Sequence, residues 1–311
     1  MAVSGSKDYS VTGAQLIGKA LARIGEYDQG EAIPGDESSS ALLALNMMIK
    51  EWMARGIDLW LRDEITLFLQ PDTKSYALGT TNATLSYSET TLSAAEASGQ
   101  TVLSVTSSTG MTAADYVGIK MDDDSIHWTT IATVDSAIQI TIDDATDDDA
   151  ASGNKVYAYT TKAGRPAKLT DAYRRDINNF DTEVALIGEN DYRSQSNKGS
   201  SGPPVEAWYH PTLTTGTLYV WPVDGGANWD KLILIGQYYP DDFDVTANNP
   251  QFPIEWANTI AWNLAAELAS EYGVPEKEQG RLWRIAEHKL QALLDYDVEN
   301  ASVEFALDVR P

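Results

Sequence analysis

The spacing of apolar residues changes twice along this chain of 311 residues. Near both ends, apolar side chains recur every three or four positions, which is typical of amphipathic helices. Between the ends they recur every second position, as in strands that bury one face. This pattern predicts an α+β fold in which both chain ends form one helical bundle and a β-rich region lies between them.

Capping residues, glycine stops and apolar stripes predict four helices, over about 13–24, 37–55, 253–272 and 275–296. Thr12 and Gln15 form a capping box at the start of the first helix, and Gly25 follows its end. Asp36 or Ser38 is expected to cap the second helix. The helical parts of the bundle are therefore assigned to residues 1–64 and 251–297.

Strands are predicted for EITLFLQ, VEAWYH, GTLYVWPV and KLILIGQYY. The last two are separated by the turn sequence DGGANWD, which predicts that they pair as a hairpin. These stretches place a β domain, sandwich- or barrel-like, at residues 65–84 and 161–250. Residues 85–160, with short strands split by polar turns and twelve acidic residues against two lysines, predict a small all-β module inserted into that domain.

The chain carries 46 acidic and 22 basic residues, a net charge of -24. Proteins that bind free duplex DNA need a basic surface, so this chain is expected to repel DNA over most of its surface. A channel wall to which DNA does not adhere is one interpretation, and plain solubility is the other. No cysteine is present, which excludes thiolate chemistry and disulfides and fits assembly in a cytoplasm. Neither a membrane-spanning run nor a secretory signal is evident.

The last stretch, residues 298–311, is predicted to be a docking arm. Four apolar residues alternate there with polar or small ones, which describes a strand with one apolar face: Val303, Phe305, Leu307 and Val309. A terminal strand cannot bury that face alone. It can dock on its own subunit, or it can add to a partner's sheet edge or groove.

No catalytic, cofactor-binding or metal-binding constellation is predicted. Gly13–Lys19 matches most of a phosphate-binding loop, but Ala20 stands where a Ser or Thr must hold magnesium, and Lys19 is expected to be an exposed helix residue. The acidic clusters at 122–124 and 143–149 lack the spacing of a calcium loop, so solvated turns are favoured over weak divalent binding. His127 and His210 adjoin aromatic residues in predicted strands, which indicates packing.

His288 lies among charged residues of the fourth helix, which indicates exposure to solvent. Four basic residues cluster after the inserted module: Arg165, Lys168, Arg174 and Arg175. They can pair locally with Asp171 and Asp176, or they can contact an acidic neighbouring subunit. Both interpretations stay open.

The stretch ALARIGEYDQGEAIPGDESSSALLALNMMIKEWMARGIDLW resembles the N-terminal helical region of podovirus head-to-tail adaptor proteins. That family includes the tail accessory factors once called packaged-DNA stabilisation proteins, and the tubular adaptors. The likeness rests on Ile24-Gly25, on Asn46-Met47-Met48 through Trp52, and on Gly56-Ile57. It continues in GTLYVWPV, YYPDDFD, the opening of the third helix at 253–256, and ASEYGVP.

The resemblance implies a structural virion protein without enzymatic activity or cofactor. Such a protein forms a dodecameric ring beneath the portal protein, extends the DNA channel without binding DNA specifically, and supports a downstream nozzle or tail hub. It implies assembly in the host cytoplasm and a final place at the head–tail junction. The alternatives are another tail or neck subunit whose β module binds a host or a decoration protein, and a tail-associated glycan hydrolase.

Overall fold

The structure, a computed structural model, describes residues 9–28, 31–57, 61–226 and 229–296, with the side chains of Trp229, Asp230 and Tyr296 left out. Its residue contacts divide the chain into two units. The β unit runs from Arg62 to Tyr238, and the helical unit contains the described residues on either side of it. The predicted α+β class is confirmed.

Five α-helices lie in the described residues: α1 (Gly13–Ile24), α2 (Gly35–Ala54), α3 (Glu189–Ser194), α4 (Ala257–Leu268) and α5 (Glu276–Tyr296). The capping box of α1 is confirmed, because Gln15 N donates to Thr12 Oγ1 at 3.3 Å and Thr12 N donates to Gln15 Oε1 at 2.9 Å. Gly25 follows α1 with a φ of 82°, the left-handed conformation that glycine tolerates best.

Two helix boundaries differ from the sequence prediction. The N-cap position of α2 is Pro34, and neither Asp36 nor Ser38 caps the helix, because α2 begins at Gly35 and both residues lie inside its first turns. The third predicted helix, 253–272, is shorter. It begins as a 3-10 turn over Ile254–Trp256, and α4 ends at Leu268, four residues before the expected end.

The core of the helical unit forms around α4. Ile260 and Leu264 are fully buried in a cluster that also contains Leu16 of α1 and Leu45 of α2. A second cluster joins α4 to α5 through small side chains and leucine: Ala266, Ala269, Leu282 and Ala286. The α4 helix therefore contacts α1, α2 and α5 and buries most of its own surface.

The segment after Tyr239 packs with the helices. Asn46 Nδ2 donates to Phe243 O at 3.1 Å, and Phe243 N donates back to Asn46 Oδ1 at 3.0 Å. Lys50 Nζ donates to Pro240 O at 2.8 Å. Residues 239–250, which the sequence analysis assigned to the β domain, therefore belong to the helical unit.

The described residues of the β unit form fifteen strands: β1 (Arg62–Phe68), β2 (Ser75–Leu78), β3 (Ala83–Thr84), β4 (Ser88–Thr91), β5 (Val102–Ser104), β6 (Tyr116–Lys120), β7 (Ile126–Ser136), β8 (Gln139–Ile142), β9 (Lys155–Tyr159), β10 (Lys168–Asp176), β11 (Asp181–Glu183), β12 (Ala185–Leu186), β13 (Glu206–Pro211), β14 (Gly216–Trp221) and β15 (Trp229–Gln237). They form three sheets with the orders β11-β10-β15-β1-β3, β12-β13-β14-β2 and β4-β9-β6-β7-β8-β5.

The first two sheets share one hydrophobic core. Ile65 and Leu234 from the five-stranded sheet and Leu218 from the four-stranded sheet are each 0% exposed there. The predicted hairpin between GTLYVWPV and KLILIGQYY is wrong. Both edges of β14 are occupied by β13 and β2, so β15 pairs instead with β1 and β10.

The six-stranded sheet is built from the module at residues 85–160. It curls so that an isolated bridge between Leu92 and Val105 links its two outer strands. Thirteen buried apolar residues fill the space inside it. The chain enters and leaves at one point, where Thr84 Oγ1 donates to Thr161 O at 2.8 Å.

None of the helices in the described ranges combines the length and the apolar character needed to cross a bilayer.

A pair of leucine substitutions in α2 tests the core. Leu45 is 0% exposed and Leu43 is 61% exposed. Leu45→Ala is expected to lower the free energy of unfolding by about 2–5 kcal/mol, because it leaves a cavity. Leu43→Ala should change it by less than about 0.5 kcal/mol. Urea unfolding followed by circular dichroism measures both, and equal losses would contradict the packing described for α2.

Candidate functional site

The predicted docking arm lies beyond the part of the chain that the structure describes. The described residues end at Tyr296, so Val303, Phe305, Leu307 and Val309 all fall outside them. Their role in partner docking stays a prediction.

The four basic residues after the module do not form one cluster. Arg165 Nη1 donates to Thr212 O at 3.0 Å, in the turn between β13 and β14. Lys168 is exposed at the start of β10. Arg174 and Arg175 are neighbours in β10, so their side chains leave the strand on opposite faces.

The partners of the two arginines in β10 differ from the acids that the sequence suggested. Arg175 forms a bidentate pair with Asp181, at 2.7 and 2.8 Å, and lies 3.7 Å from Glu64. Asp181 lies in the neighbouring strand β11 and Glu64 lies in β1, on the far side of β15, whereas Asp171 and Asp176 lie in β10 itself. Arg174 Nη1 donates to Pro204 O at 2.8 Å. Local pairing therefore accounts for Arg175, and Lys168 has the exposure that a contact with another subunit needs.

The acidic clusters of the module hold turns. Asp122 Oδ1 accepts from Ala151 N at 2.8 Å and from Asn154 Nδ2 at 2.9 Å, and Asp149 Oδ1 accepts from Ser98 N at 2.8 Å. Within the described ranges, no three acidic or histidine side chains are grouped so that they could hold a metal ion.

The three histidines and Lys19 of the phosphate-loop match lie in four different elements, β7, β13, α5 and α1. His127 Nδ1 lies 2.9 Å from Asp147 Oδ1, and the His210 ring lies 5.5 Å from the Trp208 ring. His288 is exposed on α5, as predicted. Lys19 is an exposed residue of α1, which confirms the helical interpretation of the phosphate-loop match.

An aromatic cluster attaches the module to the five-stranded sheet. Phe68 of β1 is 1% exposed. Four aromatic rings of the module surround it, with centroids 4.7 to 6.2 Å away: Tyr87, Trp128, Tyr157 and Tyr159. Gly118 makes room for this cluster, because a Cβ at that position would stand 2.6 Å from the Trp128 ring. The module therefore uses its aromatic residues for attachment.

Polar contacts fix the same junction. Gln70 Nε2 donates to Ile126 O at 2.8 Å, and Ile126 N donates to Gln70 Oε1 at 3.0 Å. The side chain of Lys231 in β15 is 3% exposed, and its Nζ lies 2.8 Å from Glu89 Oε2. The other carboxylate oxygen of Glu89 accepts from Lys155, whose side chain is 34% exposed.

Burial and the two lysines act on Glu89 in opposite directions. Burial by itself raises the pKa of the Glu89 carboxyl, but the hydrogen bonds from Lys155 and Lys231 outweigh it and lower the pKa below its ordinary value. Burial lowers the pKa of Lys231, and the bond to Glu89 reverses that effect and raises it. Both partners are therefore charged in the folded protein at neutral pH.

The helical unit carries an open groove beside α2, with a volume of about 800 Å³. Two exposed apolar side chains, Leu43 and Met47, lie on it one helical turn apart. Five carboxylates line the groove as well: Glu51, Asp242, Asp244, Glu267 and Glu271. Lys50 also lines it and pairs with Asp242 at 2.8 Å. The sequence predicts no site at this groove. Leu43 and Met47 lie outside the apolar stripe of α2 that is expected to be buried.

No protein-family model matches the chain, and neither does a curated protein. A functional proposal for it therefore rests on the arrangement of its residues and on the sequence resemblance.

Substitution of each lysine that bonds to Glu89 measures how much that bond contributes to the free energy of unfolding. Lys231→Met is expected to lower the free energy of unfolding of the β unit by about 3 kcal/mol, because it breaks a buried ion pair. Lys155→Met removes a donor from the same carboxylate at a more exposed position and should cost about 0–1 kcal/mol. Urea unfolding curves give both values. A larger loss for Lys155→Met would show that Lys231 is not the structural partner.

Lowering the pH should reduce the stability that Glu89 contributes to the junction between the module and the five-stranded sheet. Because the folded-state pKa of Glu89 is lowered from 4.5, its stabilisation is present above that value and is lost as the pH falls through the folded-state pKa. We expect the wild-type protein to lose more stability than Glu89→Gln over that range of pH. Unfolding free energies measured at several pH values test this. Parallel curves for the two proteins would contradict it.

Proposed function

We propose that this chain is a structural subunit of the ring that joins the head of a short-tailed bacteriophage to its tail, and that it has no enzymatic activity. In this proposal the ring docks beneath the portal protein and extends the DNA channel. The same ring offers a platform to a downstream tail protein, a nozzle or tail hub. Assembly takes place in the host cytoplasm, and twelve copies form the ring in the related adaptors.

The packing of α1 and α2 with α4 and α5 is the observation that carries the proposal. Residues near both chain ends share one core around α4, while the intervening residues form a separate β unit. A helical bundle made from both ends, with a sandwich- or barrel-like β middle, is the layout on which the resemblance to the adaptors rests. Two of the residues that carry the resemblance, Trp52 and Trp256, lie in that core with ring centroids 6.1 Å apart.

Charge supports the same role. A net charge of -24 repels phosphate, and repulsion allows DNA to slide through a channel without being held. The acidic groove beside α2 shows that carboxylates also dominate a surface with exposed apolar groups. Such a surface suits a protein partner better than a nucleic acid.

The alternative role, binding of a host or decoration protein by the module, needs exposed recognition side chains. Aromatic residues are the usual anchors of such sites. In the described residues of the module, the large apolar side chains with high exposure are aliphatic: Leu85, Val102 and Ile138. Its aromatic residues surround Phe68 instead. This arrangement favours the adaptor role over the alternative.

Light scattering with the portal protein of the same phage tests the proposal. The subunit is expected to form a portal-bound ring, and a chain that lacks residues 302–311 is expected to stay free. Phe305→Ser with Leu307→Ser should act like the truncation, because the apolar face of the arm is lost. Glu304→Ser with Asp308→Ser is the matched control on the polar face and should leave binding intact. A stable trimer indifferent to portal would overturn the proposal.

A further inference from the structure

The apolar part of the groove has no partner within the described chain. Leu43 and Met47 are 61% and 64% exposed, although Leu45, which lies between them in the same helix, is buried. Exposed apolar side chains that lie together in a concave surface mark contacts with other molecules. The spacing of four residues places Leu43 and Met47 about 6 Å apart along the helix axis. A second helix laid in the groove would bury both.

The carboxylates on the rim of the groove favour a partner helix with positive charge. Burial raises the pKa of Glu267, and the nearby charge of Glu51 raises it further. Glu271 also raises it, and Arg55 opposes the effect. Three carboxylates therefore repel one another across a partly dehydrated surface. A partner that brings cations would relieve this repulsion, and a partner rich in acids would increase it.

The chain itself offers a surface of that kind on α5. Leu282 and Ala286 of this helix are buried against α4, and its outer side carries a row of basic residues. Arg284, His288 and Lys289 line one shallow depression together with Ile285. Arg281 lines it as well and pairs with Glu278 at 2.7 Å.

Nothing in the described part of the chain neutralises most of this row. Among the residues that the structure describes, no acid lies within ion-pair distance of Arg284, His288 or Lys289. A basic helix face with an apolar residue at its centre is unusual in a chain with 46 acidic and 22 basic residues. The row has the charge and the shape that the groove requires.

We propose that the groove beside α2 in one copy of this chain receives the basic face of α5 from a second copy. This inference rests on the proposed ring and names the surfaces through which its subunits meet. Arg284 and His288 face Glu267 and Glu271, and Ile285 covers Leu43 and Met47. The aliphatic stems of Arg284 and Lys289 extend the apolar contact while their charged ends reach the rim.

The two surfaces are different, so the contact is head-to-tail. The residues that line the groove and the residues that form the basic row on α5 are separate sets. Each copy can therefore give its α5 to one neighbour while its groove accepts α5 from another. A repeated contact of this kind generates a closed ring when the rotation between copies closes, and a filament when it does not.

Charge reversal on each surface tests the pairing. Glu267→Lys with Glu271→Lys, and separately Arg284→Glu with Lys289→Glu, should each weaken self-association by about tenfold or more, because like charges then meet. A chain with all four substitutions again brings opposite charges together between the two surfaces and should recover assembly. Circular dichroism shows whether each variant is folded. Recovery in the fourfold variant is an outcome that a loss of folding cannot produce.

Cross-linking supplies a second measurement that does not depend on reversal. The chain has no cysteine, so single cysteines report one contact without background. Oxidation of a mixture of Met47→Cys and His288→Cys should give a dimer, and oxidation of either variant alone should not. Leu213→Cys mixed with Ile138→Cys is the control for chance collisions, because both residues are exposed in the β unit. The mixtures are oxidised as the full chain, first alone at high concentration and then in the presence of portal.

The outcomes separate this inference from the proposed function. A mixed cross-link without any binding to portal supports the contact and contradicts the adaptor role. A portal-bound ring that tolerates every reversal and gives no mixed cross-link supports the adaptor role and overturns the contact. A cross-link between two chains of the Met47→Cys variant would also overturn it, since that cross-link requires a two-fold contact. Occupation of the groove by portal would appear as protection of Met47→Cys from modification in the presence of portal without any mixed cross-link to His288→Cys, and would overturn it too.

Discussion

The antiparallel pairing of β1 with β15 determines how the rest of the chain is laid out. The first residue of the ladder, Arg62, pairs with Gln237, so the chain leaves the β unit beside the point where it entered. Leu67 and Leu232, which pair within this ladder, are both 0% exposed, so the register is held by the core. Because entry and exit are adjacent, segments from both chain ends are available to build one helical unit. Closing so long a connection adds little extra entropy, since that cost grows only with the logarithm of its length.

Two kinds of interaction join the module to the sheet, and their magnitudes assign them different roles. Each aromatic pair around Phe68 contributes about 0.5–1.5 kcal/mol beyond the area that it buries. The Lys231–Glu89 pair gains little net free energy relative to an apolar pair of similar size, because both ions lose water. The aromatic cluster therefore supplies most of the attachment. The ion pair makes any other orientation costly, since a shifted module would leave Lys231 buried without its partner.

Local signals in the sequence were sufficient to predict where the helices and most of the larger strands lie. They were insufficient to predict which strands and side chains pair with one another. The Thr12–Gln15 capping box and the apolar stripes of the helices depend on residues a few positions apart, and the structure has them. The partner of β15 depends on which strand edges are free, which the DGGANWD turn does not reveal. Lys231 appeared in the sequence as a polar residue in an apolar strand, while its partner Glu89 stands 142 positions away.

The groove shows the same limit for the candidate site. An apolar residue at position 43 or 47 looks like one more core residue until the packing of α2 is known. The acids on the rim come from α2, from α4 and the turn that follows it, and from the segment after Tyr239, so no single stretch of sequence contains the site. A helix with apolar residues on more than its buried stripe was the signal that could have located it.

The single point at which the module joins the sheet has an evolutionary consequence. Since Thr84 and Thr161 are hydrogen-bonded neighbours, recombination can remove or exchange everything between them without moving a strand of the five-stranded or the four-stranded sheet. Such an exchange would leave Phe68 and Lys231 exposed to water. Divergent genes that have lost this cassette should therefore encode small or polar residues at those two positions, and genes that keep it should retain the aromatic ring and the cation together. An aromatic residue at position 68 together with a lysine at position 231, in a gene without the module, would therefore indicate that the module was lost recently.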